Sequence, residues 1–215
     1  MGNTVVSLFV KGGPVMWPIL LCALVVVAVV GERILWWLRQ SRLRDHNTLM
    51  KIMEALHKGN VGDAVGLSKG SRDPVIQMVY QGLNEHDSCF QVAMQASAGA
   101  VLRRAGRFLP VMDTLVTLAP LLGLLGTVTG IMRSFTSIGS SELAVGKVTG
   151  GIGEALIATA CGLCIAIVSL LPLNYFSGKV AQLQYELETT ASNVEVQLNR
   201  INSRSRQAGN GSRIQ

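Results

Sequence analysis

Two hydroxyl side chains and one carboxylate are the groups in this apolar sequence that could handle an ion. Thr127 lies six residues before Arg133, and Thr159 lies five residues after Glu154. If both lie on helices, with a rise of 1.5 Å per residue, the two hydroxyls would sit about 7–9 Å from the same end of their helices. Two hydroxyls at one level could coordinate a cation or order water. We therefore predict that Thr127, Thr159 and Glu154 belong to an ion pathway.

Small residues accompany these hydroxyls at helical spacing. Stripes of this kind let membrane helices approach closely, and we interpret them as lining a pore. The alternative is plain helix packing, with each hydroxyl bonded to a carbonyl of its own helix. Glu154 has a similar alternative as a helix-start carboxylate, because negative charge is favoured there. The predicted pore-lining small residues are Gly123, Gly130, Ser134, Gly162, Ala166 and Ser169.

The charge distribution indicates which elements carry these residues. The chain has 215 residues, of which 49% are hydrophobic and only 15% are charged. Three stretches lack any charged residue, and they are bounded by Lys11 and Glu32, by Asp113 and Arg133, and by Glu154 and Lys179. Roughly 20 helical residues cross a bilayer, so each stretch is long enough to span it. The sequence predicts an all-α integral membrane protein with three transmembrane helices.

The lysines and arginines set the predicted orientation of these spans. They concentrate between residues 33 and 107 and after residue 179, and such segments usually face the cytoplasm. The N-terminus should therefore lie outside. The predicted segments are an outer N-terminal segment (1–13), transmembrane helix 1 (14–38), a cytoplasmic helical loop (39–109), transmembrane helix 2 (110–136), a short outer loop (137–151), transmembrane helix 3 (152–178), a cytoplasmic helix (179–202) and a disordered tail (203–215).

Within the loop and the last helix, the pattern predicts further local structure. Asp73 and Pro74 are typical of an N-cap followed by proline at the first helical position. The segment before span two should run into that span without a stop. Apolar residues recur every three or four positions over 180–201, so span three should continue as one long helix whose apolar stripe needs a partner helix. Glu32 and Arg33 lie near the inner interface, where charges can reach headgroups.

Several kinds of chemistry find no support in the sequence. Cys161 and Cys164 have the spacing of a redox or zinc pair, but no second pair or nearby histidine completes a site, and we interpret both as small packing residues. We predict no metal, no cofactor and no catalytic residue, because no nucleophile–base pair or metal cluster is visible. The positive charge comes without an RNA- or DNA-binding motif. We therefore expect phospholipids, and no nucleic acid, as partners.

Two long segments resemble the ExbB/TolQ proton-channel family, which is related to the flagellar stator subunit MotA. They are residues 119–131 (APLLGLLGTVTGI), followed by Phe135, and residues 151–163 (GIGEALIATACGL). By position, Thr127, Thr159 and Glu154 match the pore residues of that family. One departure is that Pro172 lies four residues later than the proline usual in the family, which moves any kink about one turn inward along span three.

The resemblance implies an assembly that contains more than one kind of subunit. It implies a pentamer in the bacterial inner membrane, with residues 1–13 and 137–151 periplasmic and the C-terminus cytoplasmic. The lumen would hold single helices of ExbD- or TolR-like subunits, which carry a membrane Asp, and proton flow would drive a TonB- or TolA-like protein. No Asp, Glu or His lies near the middle of any span of this chain, so the acid must come from such a partner. The alternatives are a non-conducting membrane scaffold and a flagellar-type stator subunit; the latter branch has four spans and a longer loop.

Overall fold

The computed structural model describes the backbone of residues 9, 12–85, 90–136 and 144–211, with side chains from 149 to 204 in the last range. Within these residues every regular element is a helix: α1 (Met16–Arg42), α2 (His46–His57), α3 (Val61–Ser68), α4 (Pro74–Asn84), α5 (Phe90–Ala105), α6 (Leu109–Thr136) and α7 (Ala144–Gly211). Three stretches, Met16–Arg42, Phe90–Thr136 and Thr149–Arg204, are long and apolar enough to cross a membrane. The predicted all-α fold with three membrane-spanning helices is confirmed.

Helix α7 is much longer than a membrane span. It runs for 68 residues, so the predicted continuation of span three as one long helix is confirmed. Its bounds differ from the predicted ones at both ends, because it begins within 137–151, predicted as a loop, and it ends at Gly211, within the predicted disordered tail. Each residue added to an existing helix fixes one conformation and gains one hydrogen bond, so helices extend readily from a stable centre.

A short turn separates α5 from α6, where the sequence predicts an uninterrupted helix. Residues 106–108 have turn conformation, and the Gly106 N–H donates to the Leu102 carbonyl at 2.9 Å. Glycine is a poor helix former, which favours an end to α5 here. Pro110 lacks an N–H, and this costs least in the first turn of a helix, so it favours a new start at Leu109.

Among the described residues, those up to 34 and those from 108 to 177 form one compact unit, which contains most of the three spans. Helix α1 presents one buried face to the other two spans and leaves its remaining apolar surface exposed. Three small clusters of buried residues make these contacts: Met16, Ile19 and Ala158; Cys22, Val26 and Leu115; and Val29, Met112 and Leu173. The spans therefore pack through a narrow seam, and most of their bulky side chains point outwards.

Arg33 ends the buried face of α1. The sequence predicts that it reaches headgroups, but its side chain is only 1% exposed. Its Nε and Nη2 donate to the two carboxylate oxygens of Glu32 at 2.5 and 2.7 Å, and its guanidinium lies 5.5 Å from the centre of the Phe108 ring. A buried guanidinium is tolerated only when it is paired and hydrogen-bonded. The expectation that Arg33 reaches headgroups is thus wrong, because Glu32 accepts its hydrogen bonds and the Phe108 ring lies beside its guanidinium within the protein.

The described residues of 35–107 and those from 178 onwards form a second compact unit. Its core combines the apolar faces of α2, α4 and α5 with the stripe of α7. The stripe residues Leu183, Leu187, Val194 and Leu198 are all buried there, and Ile76, Met78 and Leu83 of α4 lie in the same cluster. The predicted need of this stripe for partner helices is met within the same chain.

Asp73 fixes the start of α4 as the sequence predicts, and it does more. Its Oδ1 accepts from the Val75 N–H at 2.9 Å, and Pro74 occupies the first turn. Its Oδ2 accepts from the Asp45 N–H at 2.8 Å, next to the Nε of Arg44 at 3.9 Å. The carboxylate is almost completely buried. One side chain therefore joins the starts of α2 and α4.

We expect Asp73→Ala to lower the free energy of unfolding of the second unit by about 2–4 kcal/mol, because it removes an N-cap and leaves buried N–H groups without an acceptor. Amide hydrogen exchange of the α2 and α4 peptides should accelerate together. The control is Glu54→Ala, which breaks an exposed pair with Lys58 and should leave stability nearly unchanged. Equal effects of the two substitutions would contradict the assignment.

Candidate functional site

The small residues of spans two and three bring the two helix backbones into direct contact. A Cβ atom added at Gly123 would lie 2.9 Å from the Thr159 Cα and 3.1 Å from the Ala158 carbonyl oxygen. At Gly130, an added Cβ would lie 2.9 Å from the Ala155 Cβ. Real Cβ atoms essentially never lie within 3.0 Å of another heavy atom, so α7 would have to shift to make room for either Cβ. The glycines are therefore required by the close approach of α6 and α7.

The six small residues predicted to line a pore lie inside the chain. All of them are buried, and the glycines face the partner helix. The Ser134 and Ser169 hydroxyls donate to carbonyls one turn earlier in their own helices, to Gly130 at 2.9 Å and to Ile165 at 2.5 Å. Within one chain Gly123, Gly130, Ser134, Gly162, Ala166 and Ser169 are thus buried, and their place along a pore stays a prediction. Small residues suit close packing and a narrow lumen equally well, and here packing between two helices of one chain uses them.

Thr159 makes a hydrogen bond between the two spans. Its Oγ1 donates to the carbonyl oxygen of Gly123 at 2.7 Å. Only a glycine at 123 lets the Thr159 backbone come near enough for this short side chain to reach across. The side chain is half-buried.

Thr127 lies one helical turn beyond Gly123 on α6, close to the position of that bond. Its Oγ1 donates to the Leu124 carbonyl within the same helix at 2.6 Å, and its side chain is also half-buried. Both threonine hydroxyls thus use their single hydrogen on a backbone carbonyl. A hydroxyl oxygen retains two acceptor lone pairs when it donates. The pair can accept hydrogen bonds or ligate a cation, but it has no proton to offer.

The side chains of Glu154 and Thr159 point to different sides of α7. Five residues of an α-helix turn through about 500°, which places the two side chains about 140° apart. In the structure the Thr159 hydroxyl points to α6, whereas the Glu154 side chain lies against Gly13, just before α1. Its Oε1 is 3.9 Å from the Arg133 Nη1, which agrees with a position at the end of the spans. The structure therefore places Thr159 at the contact of α6 and α7, Thr127 one helical turn from Gly123 along α6, and Glu154 against Gly13.

Asp113 is a further candidate residue for the ion pathway, although it does not lie in the middle of a span. It lies near the other end of α6 and is exposed. Fourteen residues separate it from Thr127, which in a helix corresponds to about 21 Å along the axis and only about 40° around it. Thr117 is exposed between them. The helical angle between Asp113 and Thr127 is the sequence signal that could have identified this residue.

The cysteines form no recognisable site among the residues that the structure describes. Cys22 is buried, Cys161 is half-buried and Cys164 is exposed, and all three are free thiols. Cys89 lies outside the described residues. No group of three or more His, Cys, Asp or Glu side chains in the described ranges could hold a metal ion. The polar chemistry of the spans is thus that of hydroxyls and of carboxylates near the two ends.

Comparison with known proteins places this arrangement in a family. The chain is 37% identical over 172 residues to a biopolymer transport protein, ExbB-like 3, of Synechocystis, covering 77% of this chain and 81% of that protein. It is 33% identical to biopolymer transport protein ExbB of Neisseria gonorrhoeae over 54% of this chain, and equally identical to ExbB of Salmonella typhimurium over 60%. The match spans about half the length of these two ExbB proteins, 52% and 49%.

The family match covers the parts of the chain that carry the site. Residues 71–189 match the sequence profile of one family, and this range contains α4, α5, α6 and the membrane-spanning part of α7. The hydroxyl pair, the small-residue contact and Glu154 all lie within it. With three spans, a hydroxyl pair where two of them meet and this match, the chain belongs to the MotA/TolQ/ExbB proton channel family.

Proposed function

We propose that this chain is the ring-forming subunit of a proton-motive-force-driven motor of the ExbB–ExbD or TolQ–TolR type in a bacterial inner membrane. The observation that supports it most is the pair of hydroxyl oxygens at the contact of α6 and α7. Thr159 and Thr127 are half-buried and both donate to carbonyls, so their oxygens are left as acceptors. Acceptor oxygens inside a membrane suit a path for water, hydronium or a cation.

The missing acid argues for a second kind of subunit. The spans hold no Asp, Glu or His near their middle, and threonine does not titrate near neutral pH. A membrane carboxylate marks most proton relays. We propose that a single-span ExbD- or TolR-like partner supplies an Asp beside the hydroxyl pair. A charge that crosses 100 mV releases about 2.3 kcal/mol, which is enough to drive a conformational step in a TonB- or TolA-like protein.

The exposed apolar faces support a homo-oligomer. Leu121, Leu125 and Val128 of α6 and Ile167 and Leu171 of α7 are each at least half exposed, although both helices are apolar enough to span a membrane. Further copies of the chain and phospholipid chains are the natural occupants of such faces. We propose a pentamer with the N-terminus in the periplasm and the C-terminus in the cytoplasm, as the distribution of lysine and arginine favours.

The test is a reconstitution with and without the partner. The chain and an ExbD- or TolR-like single-span protein are purified together and placed in liposomes that contain a pH-sensitive dye. We expect proton flux only when both chains are present and the membrane Asp of the partner is intact. Assembled complexes that conduct no protons would overturn the proposal.

One observation favours a second candidate, a membrane scaffold that does not conduct. The hydroxyl protons of Thr127 and Thr159 are both used on carbonyls, which is also what simple packing requires. A scaffold should still assemble with its partner, and it should show no flux in the same liposomes. Native mass spectrometry of the same samples identifies assembly separately from conduction.

A further inference from the structure

The residues that lead into span one form a seat for the side chain of Glu154. We call residues 12–15, which precede α1, the entry turn. A Cβ added at Gly13 would overlap the Glu154 Oε1 and would lie 2.7 Å from its Cδ and 3.2 Å from its Cγ. The Glu154 side chain therefore lies along Gly13 from its Cγ to its carboxylate. No residue other than glycine leaves this space.

The backbone of the entry turn requires glycine for a second reason. Gly13 has a φ of +72°, in the left-handed region that other residues rarely adopt. Gly12 also packs tightly, since an added Cβ would lie 2.5 Å from the Met16 Cγ and 3.4 Å from the Ile157 Cγ2. Glu154 and Ile157 are one turn apart on α7, so the two glycines rest on neighbouring positions of one helix face. The entry turn is thus fitted to this part of α7.

The charges around the carboxylate are consistent with a held position. Arg133 Nη1 lies 3.9 Å from the Glu154 Oε1, and the Glu154 side chain is 33% exposed. The start of α1 follows directly, where the Met16 N–H donates to the Gly13 carbonyl at 3.1 Å. The positive end of a helix attracts a carboxylate. The Glu154 carboxylate therefore lies between Arg133, the start of α1 and the bare backbone of Gly13.

We infer that Gly13 is a positioning residue for Glu154, so that the segment before span one determines where the carboxylate of the ion path sits. This inference rests on the proposed function, together with the predicted place of Glu154 in the ion pathway. It adds that a displacement of the entry turn moves this carboxylate directly. The entry turn is then part of the ion path, although it lies outside the two spans that carry the hydroxyls.

The chain provides matched controls for the backbone conformation. Gly59 and Gly70 also have positive φ, of +83° and +79°, but an added Cβ at either would meet nothing within 4 Å. Alanine at these positions carries the same backbone strain without a contact. Gly13→Ala carries the strain and the overlap with Glu154. A difference between these variants therefore reports on the overlap.

The first measurement is proton flux with the partner present. We expect Gly13→Ala to reduce flux by about tenfold or more, since small misplacements of a working group have effects of this size, while Gly59→Ala and Gly70→Ala stay near wild type. The double variant Gly13→Ala with Glu154→Asp, whose carboxylate is one methylene shorter, should recover flux above the Gly13→Ala level. Wild-type flux in Gly13→Ala, or no recovery in the double variant, would overturn the inference.

The second measurement does not depend on conduction. A water-soluble carbodiimide and an amine label exposed carboxylates, and mass spectrometry quantifies the label on Glu154 in detergent. We expect Gly13→Ala to increase this labelling several-fold relative to Gly59→Ala, with the exposed Glu54 as an internal reference. Unchanged labelling would overturn the inference even if the wild-type protein conducts no protons. Absent flux in the wild type with increased labelling in Gly13→Ala would contradict only the proposed function.

Discussion

Thr159→Val is expected to reduce partner-dependent proton flux by about tenfold or more. Valine keeps the shape of threonine but removes both the hydrogen bond to Gly123, at 2.7 Å, and the acceptor oxygen. A net hydrogen bond contributes about 0.5–1.5 kcal/mol, and about 1.4 kcal/mol corresponds to a factor of ten. Loss of the oxygen from the path adds to this effect. The measurement is dye-reported flux in liposomes that contain equal amounts of assembled complex.

Two control substitutions separate the oxygen from general packing. Thr159→Ser keeps the hydroxyl and should keep most of the flux. Thr129→Val removes a hydroxyl that donates within α6 to the Leu125 carbonyl at 2.9 Å, two residues from Thr127. It should have little effect, because Thr129 lies on another side of the helix, about 160° from Thr127. Equal loss in Thr159→Val and Thr129→Val would mean that any threonine in the spans matters, and the path would not run past Thr159.

Gly162→Ala is expected to destabilise the protein, whereas Gly178→Ala on the same helix should stabilise it slightly. A Cβ at Gly162 would overlap the Ala119 carbonyl oxygen and would lie 3.3 Å from the Gly123 Cα, so α6 and α7 would have to separate. Overpacking of this kind costs about 1–3 kcal/mol. At Gly178 an added Cβ meets nothing within 4 Å, so alanine contributes only its better helix propensity, up to about 1 kcal/mol.

Gly162→Ala and Gly178→Ala are thus expected to change the stability of the protein in opposite directions. The thermal midpoint of the detergent-solubilised protein should fall for Gly162→Ala and stay level or rise for Gly178→Ala. Separation of the helices should also break the bond between Thr159 and Gly123, so Gly162→Ala should lose flux in the surviving assembled fraction. A rise in the midpoint for both variants would show that α6 and α7 do not pack as closely as described.

The features that the sequence predicts well are those whose sequence pattern has a single structural explanation. Stretches without charge have one explanation, the membrane, and all three spans follow from them. Asp73 before Pro74 has a local explanation as a helix cap, and the structure confirms it. The apolar stripe that includes Leu183 and Leu187 has to be covered, and it is buried in the core of the second unit.

The features that the sequence predicts poorly are those in which the same residue types fit two different structural roles. Gly123 and Gly162 fit a lumen wall or a helix contact, and only the coordinates show that each faces the other span. Arg33 can reach water or be buried, depending on whether Glu32 and Phe108 are placed to receive it. The seat of Glu154 on Gly13 joins residues that are far apart in sequence, and no periodicity connects them.

The way the two threonines use their hydrogens has a consequence for the direction of any water chain beside them. A water molecule bound to the oxygen of Thr127 or Thr159 has to point a hydrogen at it, because neither hydroxyl donates outwards. The dipoles of such waters are therefore aligned before a proton arrives. A proton that hops along hydrogen-bonded water reverses those dipoles behind it, so each passage has to be followed by a reorientation of water or by rotation of a threonine hydroxyl away from its carbonyl. The carbonyls of Gly123 and Leu124 would then reset the path between protons.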